Sequence, residues 1–176
     1  MSEITIRRFQ VTDLPDFKVL RDAMLEAHPN AFTSDAAAER HRTPESYRSR
    51  LANEDPAGGV FLLGAWQAGM LVGSIGCERD FRVKVRHIGH LTGMMVREHA
   101  RGQGVASALL AESIAIARRA DGIVMLTLNV TATNLAAIRL YQRAGFICYG
   151  TLQRAIRVAG RFHAKDQMAL ALQDDD

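Results

Sequence analysis

The sequence predicts an α+β protein built on a sheet of about seven strands, and three observations carry that expectation. The chain has 176 residues of which 48% are hydrophobic, enough to bury one sizeable core. Apolar residues recur with a period of two in some stretches and with helical spacing in others, and the two patterns are interleaved. Their order is strand, helix, helix, three strands, helix, strand, helix and two strands, so the middle alternates strand–helix–strand–helix.

ITIRRFQ sets Ile4, Ile6 and later Phe9 against polar neighbours, as a first strand does. Thr12 or Asp13 then caps a helix through LPDFKVLRDAMLEA, which ends near HPN because Pro29 disfavours continuation. A polar stretch, TSDAAAERHR, leads to a second helix at TPES, with Thr43 as cap, Pro44 in the first turn and Glu45 at the positive dipole end. That helix is expected to run to about Asn53, with NEDPAGG as the following loop. From Gly59 the period changes. GVFLLGAWQ and MLVGSIGCERD are apolar runs on either side of an AG dipeptide, a hairpin signal, and RHIGHLTGMMV is the next strand. The helix after GQG presents Val105, Leu109, Leu110, Ile114 and Ala117 on one broad face. GIVMLTLNV is nearly all apolar, as a central strand covered on both faces is. TNLAAIRLYQRA is a helix stopped at Gly145, in the position of a left-handed cap. FICYGTLQRAI and FHAKDQMALAL are two final strands around a turn at Val158–Arg161, and QDDD is an acidic tail. Residues 1–172 are thus expected to form a single domain and 173–176 the tail.

The formal net charge is +3 and comes almost entirely from arginine, because Lys18, Lys84 and Lys165 are the only lysines. The arginines are scattered, with pairs at Arg7/Arg8 and Arg118/Arg119 but no long block, and aromatic residues are 6% of the chain. This is the pattern of a solvated surface, not of a nucleic-acid-binding module with interleaved aromatics. Cys77 and Cys148 lie in apolar or strand-like stretches without CxxC spacing. They read as small core residues of a reducing compartment. MSEITIRRFQ lacks the apolar run of a secretory signal, and nothing approaches about 18 uncharged apolar residues, so a cytoplasmic protein without a membrane partner is expected. His87 and His90 are three apart on a strand and face opposite ways, and no other ligand cluster occurs, so no metal site is expected.

The stretch REHARGQGVASALL places two glycines and an arginine between a strand ending at Val96 and an apolar helix. The first N–H groups of a helix lack internal partners and its dipole adds positive charge, which together suit an anion. Gly102 and Gly104 leave no Cβ to block a phosphate, Ala106 and Ser107 keep the next turn small, and Arg101 adds a full charge. A phosphate-binding turn is therefore favoured over a merely tight one. Neither the GxxxxGK[ST] nor the GxGxxG fingerprint is met.

RGQGVA resembles the R/Q-x-x-G-x-G/A segment of the GNAT superfamily of N-acetyltransferases. About thirty residues on, Asn134, Ala137, Tyr141, Gly145 and Phe146 reproduce that superfamily's N-x-x-A-x-x-x-Y-x-x-x-G-F pattern. The resemblance covers residues 59–172 well, and HPNAF upstream is also familiar from the group. It implies a mixed, twisted sheet split between the fourth and fifth strands with helices on both faces. It implies acetyl-CoA as donor, with its pyrophosphate on the turn formed by Arg101, Gly102, Gln103, Gly104, Val105, Ala106 and Ser107. The pantetheine arm would pair with main-chain groups of Met94 and Val96, leaving the thioester near Met94, where a backbone N–H stabilises the oxyanion.

Asn134 and Tyr141 are seven residues apart, about 10.5 Å along one helix face. In the resemblance Asn134 meets the pantetheine and Tyr141 the sulfur, as general acid, since a phenol with a pKa of about 10 stays protonated at neutral pH. The acceptor amine must lose a proton. Residues 90, 92, 94 and 96 are expected on one strand face, which makes His90 the first candidate base, with Glu78 second. In this group the N-terminal helices and the last hairpin shape the acceptor site, here Phe32–Tyr47 and the turn with Arg161, Phe162 and His163. Arg154 and Arg157 are candidates for holding a carboxylate, and Asp166 for a cation. The expectation is an N-acetyltransferase for a small-molecule or peptide amine, without metal or nucleic acid, and homodimers are common in the group. The alternative is a non-catalytic acyl-CoA-binding regulatory domain.

Overall fold

The computed structural model describes residues 3–51 and 58–172. The tail at 173–176 and most of NEDPAGG lie outside the described residues. The elements are β1 (Ile4–Arg8), α1 (Leu14–Ala27), α2 (Ala36–Arg40), a 3-10 helix (Pro44–Leu51), β2 (Phe61–Gln67), β3 (Met70–Arg79), β4 (Ile88–Val96), α3 (Val105–Arg119), β5 (Met125–Thr131), α4 (Leu135–Arg143), β6 (Ile147–Val158) and β7 (Arg161–Ala171). The strands form a seven-stranded sheet in the order β1-β2-β3-β4-β5-β7-β6. The β2–β3 turn carries Ala68 and Gly69 at φ 49° and 78°, the left-handed pair that a two-residue hairpin requires.

Every neighbouring pair is antiparallel except β4 and β5. A parallel pair needs a crossover, and α3 supplies it. The β4–β5 register runs only from Ile88↔Met125 to Leu91↔Leu128. Beyond it β4 continues to Val96 and β5 to Thr131 without pairing to each other, while β5 stays paired to β7 as far as Thr131↔Lys165. The sheet is therefore split at this point.

Helices cover both faces. Val105, Leu109 and Leu110 of α3 and Tyr141 of α4 share one cluster with Leu91, Val96, Leu126 and Leu128. Leu14, Phe17 and Leu20 of α1 and Tyr47 of the 3-10 helix share the other with Leu62, Trp66 and Met95.

Three expectations are corrected. TSDAAAERHR contains α2, because the Asp35 side chain accepts the Ala38 N–H at 2.9 Å and three good helix formers follow. TPES opens a 3-10 helix that ends at Leu51, with Tyr47 and Leu51 as its only buried residues; such a narrow anchor gives little packing to sustain an α-helix. Residues 90, 92, 94 and 96 do not share a face. β4 carries a bulge between Thr92 and Met95, with Ser74↔Met95 and Gly76↔Thr92 as the flanking pairs and Gly93 at φ 61°. Leu91 and Val96 consequently point to the α3 face, whereas Met95 points to the α1 face.

Candidate active site

The split in the sheet opens into a cavity of about 730 Å³. Its outer end is the loop before α3, where Arg101, Gly102, Gly104, Val105, Ala106 and Ser107 line the wall. Met94 and Val96 of β4 form one side, and Asn134 and Ala137 at the start of α4 form the other. A smaller inner cavity of about 100 Å³ continues between Leu91–Met94 and Leu128–Val130 and reaches Tyr141. The two share Ala31, Phe32, Met94, Asn134 and Ala137. The two cavities thus adjoin, one at a helix N-terminus and the other at a buried phenol.

The outer end is made for an anion. Gly102 and Gly104 take φ 72° and 84°, and a Cβ at either would stand in open space. Among the described residues, the N–H groups of residues 102–107 donate to no main-chain carbonyl, which is the free donor set of a helix start. The inner end is narrower and of mixed lining, with Thr92, Asn129 and Asn134 beside Leu91, Leu128 and Val130. Tyr141 is 7% exposed and packs edge-on against Phe146 at 5.9 Å.

The sequence profile described as the Acetyltransferase (GNAT) family matches residues 19–146. The chain belongs to the GNAT family. It is an N-acyltransferase with acetyl-CoA as its donor. The GNAT chain is 28% identical over 151 residues to the L-amino acid N-acetyltransferase AaaT of Escherichia coli K12, covering 86% of this chain and 87% of that one. A ribosomal-protein-alanine N-acetyltransferase from Brucella melitensis, 27% identical, superposes with a TM-score of 0.80 over 95% of this chain and 99% of its own. YncA, a putative acetyltransferase from Salmonella typhimurium solved with acetyl-CoA, is 20% identical with a TM-score of 0.85 over 99% of this chain and 97% of its own, a likeness of fold.

In this GNAT protein most sequence-predicted donor residues line the outer cavity, and Asn134 lines both cavities. Gln103 is the exception. Its side chain turns back onto the scaffold, donating to the His99 carbonyl at 2.8 Å and accepting from Gln67 at 2.9 Å, so only its main chain faces the turn. Arg101 is also engaged: it donates to the Val96 carbonyl at 3.3 Å and to His28 Nε2 at 2.7 Å. Asn134 is the cap of α4, not part of its helical face, with its side-chain oxygen accepting the Ala137 N–H at 3.2 Å.

Tyr141 is pushed up to about 12 by burial. His90 and Glu78 lie on β4 and β3 as direct cross-strand partners, and neither lines the two cavities. The His90 ring nitrogen Nδ1 is 2.9 Å from Thr127 Oγ1 on β5. Burial lowers the imidazole pKa below its ordinary 6.5, against an opposing pull from the Glu78 charge, so the ring is neutral at pH 7. Thr92, two residues nearer the split, does line the inner cavity.

Sequence reasoning missed the strap His28–Ser34. Thr131 Oγ1 donates to the Asn30 carbonyl at 2.5 Å, Lys165 Nζ to Thr33 Oγ1 at 3.0 Å, and Arg21 to Ser34 Oγ at 2.7 Å. These bonds tie the strap to β5, β7 and α1, with Ala31 and Phe32 facing both cavities. The motif HPNAF was its only local signal. Arg154 and Arg157 stack over Phe162 on the exposed final hairpin, each at 5.5 Å, and Asp166 accepts from Thr151 at 2.7 Å.

Proposed function

We propose that the chain acetylates the amine of a free L-amino acid by direct attack on the donor. The observation that carries the mechanistic reading is that the cavity at the α3 N-terminus adjoins the one at Tyr141 and shares five lining residues with it. The acceptor class is supported by the similarity to AaaT across most of both chains. When bound, acetyl-CoA supplies a thioester whose acyl carbon is open to an amine.

The residues divide the work by their position. The N–H groups of Gly102, Gln103, Gly104, Val105, Ala106 and Ser107 hold the pyrophosphate, with Arg101 adding charge once it leaves His28. Main-chain groups of Met94 and Val96, free of any β5 partner, orient the pantetheine, and Asn134 contacts it from α4. Tyr141 keeps its proton at neutral pH and donates it toward the sulfur. His90, neutral and oriented by Thr127, takes the proton of the amine directly or through one water, with Glu78 beside it. The same reading treats residues 1–172 as one acyltransferase unit. It also puts the enzyme in the cytoplasm, in keeping with two cysteines that lack CxxC spacing. Among the described residues no helix is long and apolar enough to cross a membrane.

Thiol release from acetyl-CoA, measured over a panel of L-amino acids, simple alkylamines and a tripeptide with a free N-terminus, tests the proposal. Turnover confined to the amino acids is expected. Release with the tripeptide alone would move the acceptor to a protein N-terminus, and release with none would overturn the reading.

A further inference from the structure

A polar row crosses three strands at the point where the sheet divides. Glu78 of β3 stands opposite His90 of β4, and His90 opposite Thr127 of β5. Their sequence neighbours Cys77, Leu91, Leu126 and Leu128 all belong to the cluster beneath α3. By strand alternation the row therefore faces the other way, towards α1 and the 3-10 helix. It sits one residue ahead of the last β4–β5 pair, Leu91↔Leu128. Thr92, two residues along β4 from His90, lines the inner cavity.

The 3-10 helix brings an arginine to this side. Three guanidinium groups surround the buried Tyr47 ring: Arg42 at 4.7 Å, Arg50 at 5.6 Å and Arg21 at 5.8 Å. Arg21 and Arg42 are spent on Glu39, at 2.7 and 3.2 Å. Arg50 is different. It is half-buried, and among the described residues no carboxylate lies within ion-pair distance of it. Glu78 is nonetheless close enough for its charge to act on Arg50, opposing the effects of burial and of Arg21. The Arg50 guanidinium stacks on the Tyr47 ring at 5.6 Å, which leaves the in-plane N–H donors for a ligand anion.

We propose that Arg50 reads the α-carboxylate of the acceptor amino acid, while His90 and Glu78 receive its ammonium group. The proposal rests on the amino-acid reading above and assigns to it a specificity residue. A zwitterion matches the row: its carboxylate meets the guanidinium fork, and its nitrogen turns towards the acidic and imidazole groups beside the split. An amine without the carboxylate leaves the Arg50 charge uncompensated. Discrimination against it of roughly 30-fold or more follows from the strength of a charge-assisted hydrogen bond.

The test compares kcat/KM for an L-amino acid and for its carboxamide, in the wild type and in Arg50→Gln and Arg50→Lys. The wild type is expected to prefer the acid by about 30-fold or more. Arg50→Gln should collapse that ratio to within about threefold, and Arg50→Lys should restore part of it through the retained charge. Equal losses on acid and amide, with the ratio intact, would make Arg50 a structural residue and overturn the proposal. A wild type that turns over both substrates equally would also overturn it, while leaving the acetyltransferase reading in place. Turnover of neither would remove the amino-acid reading and the proposal together.

Discussion

Tyr141 lies where the cleft is most enclosed, and its chemistry follows from that burial. With the phenol pushed up to about 12 and a thiol near 8.5, full proton transfer to the departing thiolate is uphill by roughly 3.5 pK units, or about 5 kcal/mol. In the mechanism proposed above, the hydroxyl therefore acts chiefly by holding a hydrogen bond to the sulfur as the C–S bond breaks and charge grows there. Tyr141→Phe removes only that hydroxyl and keeps the edge contact with Phe146. Turnover should fall by roughly 10- to 1000-fold while acetyl-CoA affinity changes little, as thiol release and calorimetry on the same preparation will show. Unchanged turnover would take Tyr141 out of the mechanism. Its position at the inner cavity was legible in the sequence because a local motif carries it. Thr127 was not, since its contact with His90 spans 37 positions and exists only through parallel pairing of β4 with β5.

At the scale of elements, the donor site proposed at the loop and first turn of α3 depends on geometry as much as on charge. Gly104 is the residue before α3 and takes φ 84°, where a β-branched side chain is strained by about 1–2 kcal/mol. Its missing Cβ also leaves open space at the cavity wall. Gly69 in the β2–β3 turn has φ 78° and the same open space, but lies outside that cavity. Gly104→Val and Gly69→Val should thus lower the melting temperature by similar amounts. Only Gly104→Val should weaken acetyl-CoA binding, by about 100-fold or more, as one blocked charge-assisted contact set implies. Equal affinities in the two variants would refute the assignment of this turn. The sequence announced the element because glycine spacing is a local backbone requirement. α2 and the 3-10 helix were harder. The capping signal at Asp35 was short and overshadowed by Thr43 and Pro44, whose helix has too few buried residues to close α-helical turns. The β4 bulge, too, follows from pairing with β3 and not from the local string LTGMM.

The whole molecule is a split sheet with a cap on its α1 face, and one buried carboxylate holds the cap together. Glu39 accepts from Tyr47 at 2.6 Å, from Arg21 at 2.7 Å and from Arg42 at 3.2 Å, so it joins α1, α2 and the 3-10 helix. Arg21 and Glu39 are 4% and 8% exposed and Tyr47 is fully buried, so the bonds are made away from competing water. Desolvation alone would raise the Glu39 pKa. The hydrogen bonds from Tyr47 and Arg21 outweigh it and hold the group down to about 2. A carboxyl depressed in the folded state contributes stability that is complete above its unfolded value near 4.5 and is lost as pH falls through about 2. The gap corresponds to about 3 kcal/mol. Glu39→Gln, which strands the two arginines, should cost about 3–5 kcal/mol at pH 7 and should flatten the acid side of the stability profile. Urea melts of both proteins at several pH values between neutrality and 3 will read this directly. The wild type should lose stability on acidification and the variant much less, so the two curves converge. Parallel curves would mean that Glu39 does not carry the acid sensitivity, and that the cap on the α1 face is held by the Phe17, Tyr47 and Trp66 core instead.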